Sequence, residues 1–212
     1  MADFDVYPFS IPAVRKLDRI VVGENGLGKS TLLEAIAVMS GFNTEGGRKN
    51  FHFATRESHL ELSRYLRAES FYNVATEIER LDENSKEFLK YCGGKSLYEQ
   101  SHGESFLALL MHRFYGNALY ILDEPEAALS PMRQLAMLRR IHDLVADSSQ
   151  FLKATHSPIL MAYPHAKIVQ FTEDEVREVE WRETEHYYVT QQFLNAPERM
   201  LKTLLGDDAT EE

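Results

Sequence analysis

The stretch "GENGLGKST" (23–31) constrains this chain more than any other. Gly23, four intervening residues, Gly28, Lys29 and Ser30 match the phosphate-loop pattern, in which glycines let the backbone bend until successive N–H groups converge on a phosphate. The flanking residues agree with such a loop. The apolar run "RIVV" (19–22) reads as a strand, and "KSTLLEAIAVMSG" (29–41) has helical spacing with Gly41 as a candidate C-cap. The order strand, loop, helix places the helix N-terminus against the β-phosphate of a nucleotide. Lys29 is then expected to bridge the β- and γ-phosphates, and the Ser30 hydroxyl to ligate magnesium. Glu24, Asn25, Gly26 and Thr31 complete the candidate nucleotide loop.

A phosphate loop names a ligand and no reaction, so the downstream chain has to supply the chemistry. The run "ALYILDEPE" (118–126) reads as a buried strand that delivers Asp123 as a second anchor for Mg2+. Glu124 follows at once, where a carboxylate can orient and deprotonate an attacking water; that placement predicts hydrolysis. Another strand, "FLKATHSP" (151–158), is expected beside the Asp123 strand and carries His156 as a candidate γ-phosphate sensor. Between these two lies the amphipathic helix "PMRQLAMLRRIHDLVAD" (131–147), with Pro131 in its first turn. The runs "KIVQFT" and "VREVEW" read as a hairpin. Strands alternating with helices predict an α/β sheet with ligand groups at the carboxyl ends of its strands.

The segment "QSHGES" (100–105) opens an apolar helix, and Ser101 with Glu104 fits the capping box S-x-x-E. Exposed N–H groups at this positive helix end make a second anion site. One nucleotide does not need two such helix ends, whereas a dimer that sandwiches nucleotide between two copies does. Residues 57–92 read as mostly helical, and 57–117 as a helical lobe inserted in a single domain spanning 1–212. Its mixed charge reads as a solvated face.

Composition narrows the setting. A net charge of −10 leaves no general basic field to hold nucleic acid by counterion release, so any such contact must be local or borrowed from a partner. The single cysteine, Cys92, excludes an internal disulfide framework and fits a reducing cytosol. No targeting segment or membrane-length apolar run is visible, and a cytoplasmic location is expected.

The order of these motifs resembles the ABC ATPase superfamily: Walker A "GENGLGKST", a signature-like "SHGE", Walker B "LYILDEPE", a D-loop-like "AALS" and a switch histidine in "ATHSP". Within it, "FHFATRESH", "RAESFYNVATEI", "GGKSLYEQSHGESFLAL" and "LYILDEPEAALSP" look most like the small stand-alone soluble bacterial ATPases of the AAA family, in the branch of the SMC and RecF proteins. The resemblance implies Mg2+-dependent hydrolysis of ATP to ADP and phosphate by an ATP-dependent homodimer, with Glu124 as catalytic base. It implies that Ser101, Gly103 and Glu104 act on the nucleotide of the opposite subunit, with Ser101 and Gly103 touching the γ-phosphate. Two other roles stay open: an ATP-gated clamp recruiting a protein or DNA partner, and the nucleotide-binding subunit of a transporter. The absence of glutamine between Thr31 and Glu99 removes the family's Q-loop residue, for which Glu69 is a candidate substitute, and His102 stands where the family has glycine. Tyr7, Phe9 and Arg15 are candidates for the adenine, and Arg48 and Arg56 for the γ-phosphate, although packing and solvation explain them equally well.

Overall fold

The computed structural model describes residues 18–23, 27–39, 64–67 and 101–206. The apolar run before the phosphate loop is strand β1 (Asp18–Gly23), and helix α1 (Lys29–Met39) follows the loop. Strand β2 (Arg64–Arg67) comes next, then helix α2 (His102–Arg113), strand β3 (Leu119–Asp123), helix α3 (Pro131–Ala146) and strand β4 (Gln150–Ala154). A single helical turn, α4 (Pro158–Met161), leads to the strands β5 (Lys167–Phe171) and β6 (Val176–Val179) and the helices α5 (Glu185–Asn195) and α6 (Pro197–Leu205).

Among the described residues the strands form one sheet in the order β2-β3-β4-β1-β5-β6. Every neighbouring pair is parallel except β5 with β6, the antiparallel hairpin that the sequence predicts. Strand β4 is inserted between the phosphate-loop strand and the Asp123 strand, with Ile121 opposite Leu152 on one side and Val21 opposite Ala154 on the other.

The pleat sorts side chains onto the two faces of the sheet. Along β3, Leu119 and Ile121 face α1 with Val21, Leu152 and Ala154, where Leu33 and Ala37 meet them. Tyr120 and Leu122 face α2 and α3, packing with Phe106, Leu109, Phe114, Met137 and Ile141. All five residues of β3 are buried, as a central parallel strand covered on both faces requires. Each such aliphatic side chain contributes about 1.5–3 kcal/mol by leaving water. Tyr120 stacks on Phe114 at 4.1 Å and on Phe151 at 5.1 Å, and its hydroxyl accepts from the Tyr115 N–H and donates to the Tyr115 carbonyl. That ties the turn after α2 to the sheet.

The stretch 57–92, expected to be mostly helical, contains strand β2 at Arg64–Arg67, in register with Tyr120–Asp123. Pairing with β3 overrides the local helical pattern of four residues whose ladder partner is remote in sequence. The rest of that stretch, with Glu69 and Cys92, lies outside the described residues, as do Gly41, Tyr7, Phe9, Arg15, Arg48 and Arg56. Helices α5 and α6 were not anticipated. Among the described residues no helix is long and apolar enough to cross a membrane.

Candidate nucleotide site

The carboxyl ends of β1, β3 and β4 lie side by side, and each delivers one part of the site. Gly23 ends β1; Glu24, Asn25 and Gly26 lie outside the described residues. The chain re-enters α1 through Gly28, whose φ of +84° is a conformation that suits glycine. Lys29 is the first residue of α1 and is buried, Ser30 is half-buried and Thr31 is exposed. Burial pushes the Lys29 ammonium below its ordinary value, against the opposing pull of Glu124, Asp123 and Glu126. Burial leaves the Lys29 charge poorly solvated, which favours an anion seated against it.

Asp123, 2% exposed, ends β3, and its Oδ1 accepts from the Ser30 hydroxyl at 3.3 Å. This contact brings together the two residues expected to anchor magnesium. A hydroxyl and a carboxylate are hard oxygen donors that fit this ion. Among the described residues no cluster of three or more His, Cys, Asp or Glu is placed to hold a metal.

Glu124 sits in the left-handed region, φ 49° and ψ 49°, at the turn from β3 into a 3-10 turn (Pro125–Ala128). For a non-glycine residue this conformation costs on the order of 1 kcal/mol, and it persists because the surroundings hold it. Its N–H donates to the Ala154 carbonyl at 3.0 Å, while the Thr155 N–H donates to the Val21 carbonyl at 3.2 Å, so the ladders run to the edge of the site. The Glu124 carboxylate stands 3.6 Å from Nε2 of His156. That nitrogen is shielded from solvent and has no hydrogen-bond partner among the described residues.

Three residues that the sequence reading passed over hold the loop carrying His156. Glu126 accepts from the His156 backbone N–H and, at 2.7 Å, from the Thr155 hydroxyl. Gln134, buried on α3, accepts from the Ser157 hydroxyl and donates to the Leu129 carbonyl at 3.0 Å, joining this loop to the one after β3. His186 on α5 places Nε2 2.8 Å from Nδ1 of His156. Glu126 has a visible sequence signal, as the last acid of "DEPE"; Gln134 and His186 have none.

The signature-like segment lies at the start of α2. Ser101 is exposed; the Glu104 carboxylate accepts from its backbone N–H at 2.9 Å and from its hydroxyl at 2.8 Å, the reach-back expected of a capping box. These bonds with Ser101, together with Arg133, hold the Glu104 carboxyl below its usual range. Arg133 of α3 pairs with Glu104 at 2.9 Å and donates to the Ser101 hydroxyl at 3.4 Å. A Cβ on Gly103 would lie 2.2 Å from the Ala128 carbonyl oxygen and 2.9 Å from the Arg133 guanidinium. Gly103 therefore has a reason within one chain: it lets α2 press on the loop "AALS". The structure does not bring Ser101, Gly103 or Glu104 into contact with the Lys29 cluster.

No family model matches the chain, and no curated protein matches its sequence. Solved structures with a similar chain path include ABC transporter ATP-binding subunits and an SMC head domain. They include cbiO1 from Clostridium perfringens, part of the ABC transporter complex cbiONQ, at 19% identity over 87% of this chain and 86% of that one, with a TM-score of 0.48. The dimeric MJ0796, a bacterial ABC transporter cassette, matches at 15% identity over 80% and 88%, with a TM-score of 0.49. The SMC head domain from Thermotoga maritima matches at 17% identity over 77% and 91%, with a TM-score of 0.45.

Proposed function

We propose that this protein is an ABC-type ATPase that hydrolyses ATP in the cytoplasm, at two composite sites of a homodimer. The observation that carries this reading is the convergence of Lys29, Ser30, Asp123, Glu124 and His156 at the ends of three adjacent strands, with Ser30 on Asp123 and Glu124 facing His156. These are the groups that in-line attack of water on a γ-phosphate requires, with Glu124 as the base.

In the proposed step Lys29 binds the β- and γ-phosphates, and Glu124 accepts a proton from a water aligned with the γ-phosphorus. As the water oxygen bonds to phosphorus, the bond to the β–γ bridging oxygen breaks, and ADP and phosphate leave. Nε2 of His156 donates to a γ-phosphate oxygen and holds its charge. Ser30 and Asp123 would hold a magnesium ion, which neutralises phosphate charge when bound. Burial of Lys29 and Asp123 keeps the site's dielectric low, which strengthens each of these interactions.

The dimer rests on the start of α2. Ser101 and Glu104 are exposed and already oriented by Arg133, and Met132 and Leu135, 74% and 50% exposed, stand on the helix turns beside Arg133. An ordered anion-binding helix end flanked by apolar side chains fits the nucleotide face of a second copy.

The deciding experiment measures ATP turnover against protein concentration for the wild type and for Glu124→Gln, with mass by light scattering in ATP and magnesium. Turnover per subunit should rise with concentration, and Glu124→Gln should lose at least about 100-fold in rate and accumulate as a dimer. If Glu124→Gln still turns over and stays monomeric with ATP, the proposal fails.

A further inference from the structure

The contact between His156 and His186 has no part in the mechanism above, yet it joins the γ-phosphate sensor to a helix far along the chain. The two rings lie 5.0 Å apart by centroid, inclined at 46°, with the ring nitrogens at 2.8 Å. Such a separation requires one N–H···N hydrogen bond, so one nitrogen carries the proton and the other offers a lone pair.

His186 does not reach this position by chance of a loose tail. It is the second residue of α5, whose first turn is fixed twice. Thr184, fully buried, donates to the Trp181 carbonyl at 2.7 Å and caps the helix by accepting from the Tyr187 N–H at 3.3 Å. Trp181 donates its indole N–H to the Pro158 carbonyl at 3.1 Å, on the segment that carries His156, and packs edge-on against Tyr187.

The geometry points to His186 as a positioning residue for γ-phosphate hydrolysis: by donating Nε2–H to Nδ1 of His156, it fixes the tautomer in which the Nε2–H of His156 faces Glu124 and the γ-phosphate. This inference rests on the ATPase reading for its role, and on the ring contact for its existence.

The direction of the proton follows from what surrounds each ring. Nε2 of His156 faces a carboxylate 3.6 Å away and, on the reading above, a phosphate. Both are acceptors, so a lone pair there would be repelled and a proton belongs on Nε2. A neutral His156 then has its lone pair on Nδ1, and His186 must be the donor. Burial, above all, lowers the affinity of His186 for a second proton; His156 and Lys29 add to this and Glu185 opposes it. A neutral His186 can place its single proton on Nε2. A carboxylate in this position could only accept, and would leave neutral His156 with the wrong nitrogen protonated.

Two measurements test the inference on the full-length protein. The first is the 15N spectrum of histidine-labelled protein, read for a coupling across the hydrogen bond between Nε2 of His186 and Nδ1 of His156. The coupling should be present, with the proton on His186 Nε2, and absent in His186→Phe. The second is kinetic: His186→Phe should lower kcat about 10-fold, with KM for ATP within about 2-fold, and His186→Gln, whose amide can donate, should recover most of the loss. No coupling in the wild type, a proton on Nδ1 of His156, or a kcat for His186→Phe within about 2-fold of wild type overturns the inference. So does an equal loss in both variants, which would mean packing and not proton placement. If the wild type proves unable to hydrolyse ATP, the ATPase reading fails on its own account, and the nitrogen coupling still decides whether His186 holds His156 in this tautomer.

Discussion

The two regions of this molecule that are read as touching nucleotide are built in opposite ways. At the carboxyl ends of β1, β3 and β4, Lys29 and Asp123 are buried and Glu124 is held in a left-handed conformation. At the start of α2, Ser101 and Glu104 stand in solvent and are held by one another and by Arg133. The first is positioned by buried strand ends and by the first turn of α1. The second is positioned by a few polar contacts that water competes with, so it is ordered but readily displaced. On the proposed function, the region that does the chemistry is the braced one and the region that meets the second copy is the adjustable one.

Substitutions sharpen the contrast. The largest effect belongs to Glu124→Gln, which should leave the fold intact and lower turnover by at least about 100-fold, as stopped-assay phosphate release would record. Next comes Glu126→Ala, which strips two hydrogen bonds from the loop of His156. Turnover should fall about 10- to 100-fold while nucleotide binding, followed by titration of a fluorescent analogue, changes little. A binding defect as large as the rate defect would place Glu126 in the fold and not in the support of His156.

At the start of α2, Gly103→Ala forces a methyl group against the Ala128 carbonyl. It should lower stability by about 1–3 kcal/mol in chemical denaturation, and an unchanged midpoint would show that α2 does not press on "AALS". The smallest effect is Arg133→Ala. Loss of an exposed pair should leave the thermal midpoint unchanged while turnover at low protein concentration drops about threefold, because Ser101 is no longer oriented for the partner. A large loss of stability here would erase the distinction between the two regions.

Much of the buried site was legible in the sequence and rather less of its support. The phosphate loop, "LYILD" and "FLKAT" are local patterns, in which an apolar strand and the polar residue ending it are neighbours in the chain. Their convergence follows from parallel strands, which place all their carboxyl ends on one side. The groups that brace His156 are not local: Glu126 and His186 each lie thirty residues away, and no periodicity marks them. Strand β2 was misread for the same reason, since its pairing with β3 is decided by a remote partner. The signature-like segment shows the reverse case. Its capping box was visible from spacing alone, while the role of Gly103 as a close-contact residue needed the position of Ala128.

The central place of β4 has a mechanical consequence. Hydrogen-bonded along both edges, to β3 and to β1, it resists shear along its whole length at once, since no single rung can open before its neighbours bear load. The loop that carries His156 therefore leaves a strand that is held on both sides, and Trp181 and His186 tie the same loop to the start of α5.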